Sequence, residues 1–281
     1  MNKPKIKLIL TLLLIIFIIP STSLSQERNI AVSIPPIGSI TKYIVGDLWK
    51  ISVLLPSNTN PHLFEPTPQI MKELEKAKIV VINGKDVDLW AKKLADSAQK
   101  DTLVLSDYLK IKEENPHFWL DPILAKDIAN IIYKKVSSID PSNKNYYLKN
   151  LNKFNKQIDE LNKYIIKELS IFKNKEIIAY HPSFYYFFKR YNIKVLSYIE
   201  EGEGKEPSLK KISEIIRLIK SKNIKYIIKE PFINTPTLGT IQKETKVKIV
   251  DMDPIGYNKD YFELIKENVK ILKEIFYEQN R

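Results

Sequence analysis

The chain has 281 residues, a formal charge of +12, 44% hydrophobic and 28% charged residues, and no cysteine. This is a globular composition, which excludes a disordered or fibrous chain and leaves room for one large domain or two lobes with cores of their own. Without cysteine there is no disulfide framework, thiolate metal site or cysteine nucleophile, so a soft-metal site must be built from histidine and carboxylate. The positive charge does not indicate nucleic acid. The lysines are scattered beside glutamates along helix-like segments, as on a solvated face, and no zinc-finger spacing, RNA-binding aromatic signature or basic arm accompanies them.

Residues 1–25 read MNKPKIKLILTLLLIIFIIPSTSLS. Three lysines precede an apolar run from Leu8 to Ile19, Pro20 ends it, and Ser23-Leu24-Ser25 stands before Gln26. That order predicts a secretory signal peptide. The run reaches about 18 Å as a helix, short of a hydrocarbon core of about 30 Å. With no later stretch able to cross a bilayer, the mature chain is expected to be soluble and outside the cytoplasm.

The first lobe is expected over 26–142. Strands are predicted at 29–34, 50–55, 78–82 and 102–105, with intervening helices at about 37–44, 67–77 and 87–98, and Thr67 is read as an N-cap. Strands alternating with helices predict a mostly parallel sheet covered on both faces. Asp121-Pro122 starts a further helix, with Leu124, Ile128 and Ile131 as its inward stripe. Next, Tyr147, Leu151, Phe154, Ile158, Leu161, Ile165 and Leu169 recur at spacings of three and four among Lys, Asn, Glu, Asp and Gln. This predicts one long helix with a single apolar stripe, a linking spine over 143–171. The α/β pattern then restarts over 172–281, with strands at 176–179, 194–198, 225–228 and 247–250. Helices follow each, the third over 237–244 and the last over 259–277. The expected fold class is therefore α/β, two lobes with mostly parallel sheets joined by one long backbone helix.

The three histidines have similar settings. His62 sits in Asn60-Pro61-His62, His117 in Asn115-Pro116-His117, and His181 in Tyr180-His181-Pro182. Each lies in a loop after a predicted strand, at the carboxyl edge of a sheet where ligands of open α/β folds collect. In a two-lobe chain both edges can face one cleft. A carboxylate could come from Asp251 or Asp253 after the last strand; Asp253 is nearer the loop and is stiffened by Pro254. Zinc accepts four such ligands, and three neutral imidazoles with one carboxylate leave a site charge near +1. Glu65, Asp121 and Glu230 are candidates to support the ligands, and Phe64, Trp119 and Tyr180 to keep water out. The competing readings are incidental loop histidines and a secreted zinc hydrolase with Glu65 or Glu230 as base, although no HExxH or GxSxG motif is present.

NPHLFEPTP at 60–68, NPHFWLDP at 115–122, YHPSFYYFFKRYNIKV at 180–195, GKEPSLKKI at 204–212, KEPF at 229–232 and MDPIG at 252–256 together resemble the motifs of one family. It is the periplasmic or surface metal-binding proteins of ABC importers for zinc and manganese. The resemblance implies a metal held between the lobes by His62, His117, His181 and Asp253. It also implies delivery of that metal to a membrane permease powered by a cytoplasmic ATPase, and no catalysis. The chain lacks the long His-rich loop of many zinc-specific members: 105–117 holds only His117. Manganese-binding relatives often carry Glu where His181 stands, so the third imidazole favours Zn2+ over Mn2+.

Overall fold

The computed structural model describes residues 28–173 and 175–281; the expected signal segment lies outside them. The first sheet comprises β1 (Asn29–Val32), β2 (Lys50–Val53), β3 (Ile79–Ile82) and β4 (Thr102–Val104) in the order β2-β1-β3-β4, parallel throughout. Helices α1 (Pro35–Val45), α2 (Pro68–Glu75) and α3 (Leu89–Ser97) connect its strands. The second sheet repeats the plan with β5 (Glu176–Ala179), β6 (Lys194–Tyr198), β7 (Tyr226–Lys229) and β8 (Lys248–Asp251) in the order β6-β5-β7-β8. Its helices are α6 (Tyr185–Arg190), α7 (Leu209–Lys222), α8 (Pro236–Thr245) and α9 (Tyr261–Gln279), and α4 (Pro122–Ile139) and α5 (Lys144–Ser170) stand between the two sets.

The central strands show why the sheets are covered on both faces. NIAV in β1 and IVVI in β3 are buried at every position, whereas the outer strand β2 is only partly buried. Fully buried runs, apolar but for Asn29, fit parallel sheets between two helical layers. Both sheets change winding direction between their first and third strands, β1 and β3 in one, β5 and β7 in the other. The connections there leave on opposite faces and open a crevice at the carboxyl ends.

Helix α5 carries out the expected role of a spine. Its buried residues are the seven of the predicted stripe, Tyr147 to Leu169. Twenty-seven residues make it about 40 Å long. Phe154 lies 5.5 Å from Tyr43 of α1 and 5.5 Å from Phe262 of α9, so one ring meets a helix from each lobe. A single apolar core runs from β1 through α5 to α9. A smaller one, with Ile178, Ile215, Ile227 and Ile241, fills the outer face of the second sheet.

Several helix details differ from expectation. The inward face of α4 is Ala125, Ile128, Ala129, Ile132 and Val136, while Leu124 and Ile131 are only half-buried. Close packing of α4 on its neighbours selects the small alanines over the larger Leu124. Thr67 stands at the N-cap of α2 with Pro68 in the first turn, as expected, but its side chain makes no capping hydrogen bond. Helix α3 starts at Leu89 because the buried Asp88 turns back to accept from Asn83 and Gly84 N–H at 2.7 and 2.9 Å. Asp121 and Ser208 do cap α4 and α7 through their side chains. No helix among the described residues is long and apolar enough to cross a membrane.

Candidate metal centre

Two of the three histidine loops are built by one local device. In Asn60-Pro61-His62 and again in Asn115-Pro116-His117, the Asn Oδ1 accepts the histidine backbone N–H at 2.9 Å. The proline limits the turn, and the Asn closes it, so the ring leaves the backbone at a set point. Each loop is then clamped to its lobe. Trp90 Nε1 donates to the Pro61 carbonyl at 3.0 Å, with Phe64 edge-on to Trp90. Asn83, at the carboxyl end of β3, donates to the Pro116 carbonyl at 3.0 Å. His181 follows β5 directly, and its loop is joined to the first lobe by Asn115 Nδ2 donating to the Pro182 carbonyl at 2.9 Å.

The three imidazoles meet across the cleft. Their ring centroids stand 5.0, 5.1 and 5.3 Å apart, and all three side chains are buried. His117 Nε2 lies 3.1 Å from His62 Nε2 and 3.3 Å from His181 Nε2. The other nitrogens set the tautomers. His117 Nδ1 donates to Asn115 Oδ1 at 3.1 Å and His181 Nδ1 to Glu200 Oε2 at 2.6 Å, which leaves both Nε2 lone pairs facing the shared centre. Lone pairs that close repel unless a proton or a metal ion lies between them, and the metal takes the place of the proton. The edge of a tetrahedron around zinc with bonds of 2.0–2.1 Å is about 3.3 Å, close to the spacings found.

Protonation follows from the surroundings. Burial, helped by the neighbouring His181, brings His62 down to about 3. Burial also holds His117 well below the ordinary imidazole value, with His181 and His62 adding to it. His181 is different. Its own burial acts downward, but the Glu200 hydrogen bond and the charges of Glu230, Glu203 and Glu200 carry it above the usual value.

A cavity of about 170 Å³ adjoins the rings, lined in part by His62, His117, Tyr180, His181, Glu200, Glu203 and Glu230. Glu230, at the end of β7, is buried beside β5, where Ser183 Oγ donates to its Oε1; Oε2 has no hydrogen-bond partner. Burial pushes this carboxyl up to about 7, against the pull of His181 and Ser183. Among the described residues two groups have ligand atoms close enough to share an ion: His62, His117 and His181, and His181 with Glu200 and Glu203.

Asp253 belongs to neither group. Its Oδ1 accepts from Ile255 and Gly256 N–H, both at 2.9 Å, and Oδ2 faces Lys259 at 3.8 Å. The Asp-Pro pair that made it a candidate builds a turn in this structure. Asp251 pairs with Lys229 on the neighbouring strand. Of the supporting acids, Glu65 is exposed, Asp121 caps α4 and pairs with Arg190 of α6, and Glu230 alone lines the cavity. Of the aromatics, Tyr180 lines the cavity and Trp119 packs on His117 at 5.1 Å, while Phe64 acts through Trp90. Sequence reading missed Asn115, Glu200 and Glu203. The repeated Asn-Pro-His triplet was a signal for the first; the two glutamates lie in a loop with no periodicity to mark them.

Residues 30–275 match the family described as ZnuA, zinc-uptake complex component A, periplasmic. The crystal structure of ZnuA is similar at a TM-score of 0.81 and 29% identity, covering 88% of this chain and 98% of that one. The high-affinity zinc uptake system protein ZnuA of Bacillus subtilis is 26% identical over 283 residues, covering 90% of this chain and 88% of that protein. The zinc-binding lipoprotein AdcA of Streptococcus pneumoniae is 24% identical over 303 residues, 96% of this chain, but the match spans only 60% of AdcA.

Proposed function

Because this chain belongs to the family of periplasmic zinc-uptake component A proteins, we propose that it captures one Zn2+ between its lobes and passes it to the permease of an ABC-type importer driven by a cytoplasmic ATPase. The role is capture and release without catalysis. The ligands are His62, His117 and His181, joined by one carboxylate, for which Asp253 is the residue carried over from the family motif. The observation that supports this most strongly is the spacing of the Nε2 atoms, 3.1 and 3.3 Å, close to a tetrahedral edge. Three imidazoles favour Zn2+ over the harder Mn2+, with geometry and supply deciding between them in the cell. The protein acts as a monomer in the periplasm after loss of residues 1–25, with 26–142 and 172–281 as its lobes and 143–171 as the link.

The test is an equilibrium titration of chelator-treated protein with Zn2+ against a chromophoric competitor, repeated with Mn2+. One tight Zn2+ site per chain is expected, and His117→Ala should weaken it at least about 100-fold, beyond the loss typical of a supporting residue. Affinity only in the millimolar range, or a His117→Ala variant that binds like the parent, sinks the reading.

A further inference from the structure

The loop between β6 and α7 is built unlike the rest of the chain. It holds Gly202 and Gly204, two of only seven glycines, and Gly204 adopts a φ of +68°, a conformation that favours glycine. Leu63 of the first lobe leans on Gly204: a Cβ there would stand 3.1 Å from the Leu63 Cδ1 atom. The loop thus crosses the cleft beside the histidine centre and touches the residue next to His62.

Between the two glycines stands Glu203. Its Oε1 is 3.6 Å from Nε2 of His181, the nitrogen that faces the shared centre, and its Oε2 is 3.7 Å from Nδ1 of His62. That Nδ1 is buried and has no hydrogen-bond partner. A proton on it leaves the His62 Nε2 lone pair for the ion, and a small approach of Glu203 brings the two within hydrogen-bond distance. Glu200 fixes the loop to the same centre, since its Oε1 accepts the Gly204 N–H at 2.8 Å while its Oε2 holds His181 Nδ1. Asp253, by contrast, has one oxygen already engaged by two backbone N–H groups.

We propose that Glu203, in place of the Asp253 carried over from the family motif, supplies the fourth ligand to the bound cation, carried in on the glycine-flanked loop, which closes the cleft over the ion. One carboxylate oxygen binds the metal, and the other accepts from His62 Nδ1–H. The ion is then held by side chains of both lobes, and it leaves when the loop lifts. This rests on the zinc-binding reading above.

The experiment measures release of Zn2+ from the loaded full-length mature chain into excess chelator by rapid mixing, for the parent, Glu203→Gln, Asp253→Asn and His117→Ala. Glu203→Gln keeps the size of the side chain and sits in a solvent-facing loop, so the fold is retained; circular dichroism checks this. Release at least about tenfold faster from Glu203→Gln, and faster than from Asp253→Asn, supports the assignment. A smaller effect of Glu203→Gln, or a larger one of Asp253→Asn, overturns it. Failure of the underlying reading looks different: the parent does not hold stoichiometric Zn2+, or His117→Ala retains it.

Discussion

At the residue scale, the three imidazoles are chemically alike and electrostatically distinct. His62, brought to about 3, and His117, held well below its ordinary value, are neutral and ready to bind a metal even in mild acid. His181, raised by its acidic neighbours, is the first of the three rings to take up a proton as the pH falls in the absence of metal. Metal binding must displace that proton, so acid competes with zinc through one histidine, not three. Where His181 alone titrates, the logarithm of the zinc association constant should fall with a slope near one per pH unit, steepening at lower pH as the Glu203 carboxyl, raised by burial, takes up a proton too. Isothermal titration across a pH series checks this, and a slope near three would show that all three rings titrate together. The histidines were legible in the sequence because each stands beside a proline after a predicted strand. Asp253 shows the limit of that logic: the Asp-Pro cue is also the cue for the turn it forms here. Glu200 and Glu203 acquire meaning only through atoms brought in from distant loops, and local sequence carries no trace of that.

At the element scale, the long helix was the easiest feature to read, because seven apolar residues at helical spacing have one physical solution. Removing the Phe154 ring, which bridges α1 and α9, should lower stability by about 3–5 kcal/mol. Lys156→Ala, on the exposed side of the same helix, should change it by less than about 0.5 kcal/mol. Urea unfolding of the metal-free protein compares the two, and similar midpoints would mean that α5 is not buried as described. The part of the α4 face that was not foreseen has the opposite origin. Periodicity pointed to large residues, but how closely a helix approaches its neighbours is a tertiary property, and here the contact face carries Ala125 and Ala129. Strand positions were legible from apolar runs, whereas their order, and so the two crevices, depends on long-range pairing that no local pattern encodes.

At the scale of the whole molecule, the principal apolar cluster includes residues of both lobes and of the helix between them. Trp119 reinforces this by donating to the Pro254 carbonyl at 2.8 Å, and Tyr257 by donating to the Thr59 carbonyl at 2.8 Å. Heating should therefore melt the chain in one transition, not lobe by lobe. Zinc at 1,000 times its dissociation constant should add about 4 kcal/mol and shift that transition as a unit. Calorimetry with and without zinc reads both, and two separated peaks in the metal-free protein would contradict a shared core. A body bound together in this way cannot surrender its cargo by parting its halves, because that would expose the hydrophobic interior to water. Unloading must then be the business of a few peripheral residues, and a membrane partner needs to deform only a small patch of surface to empty the carrier.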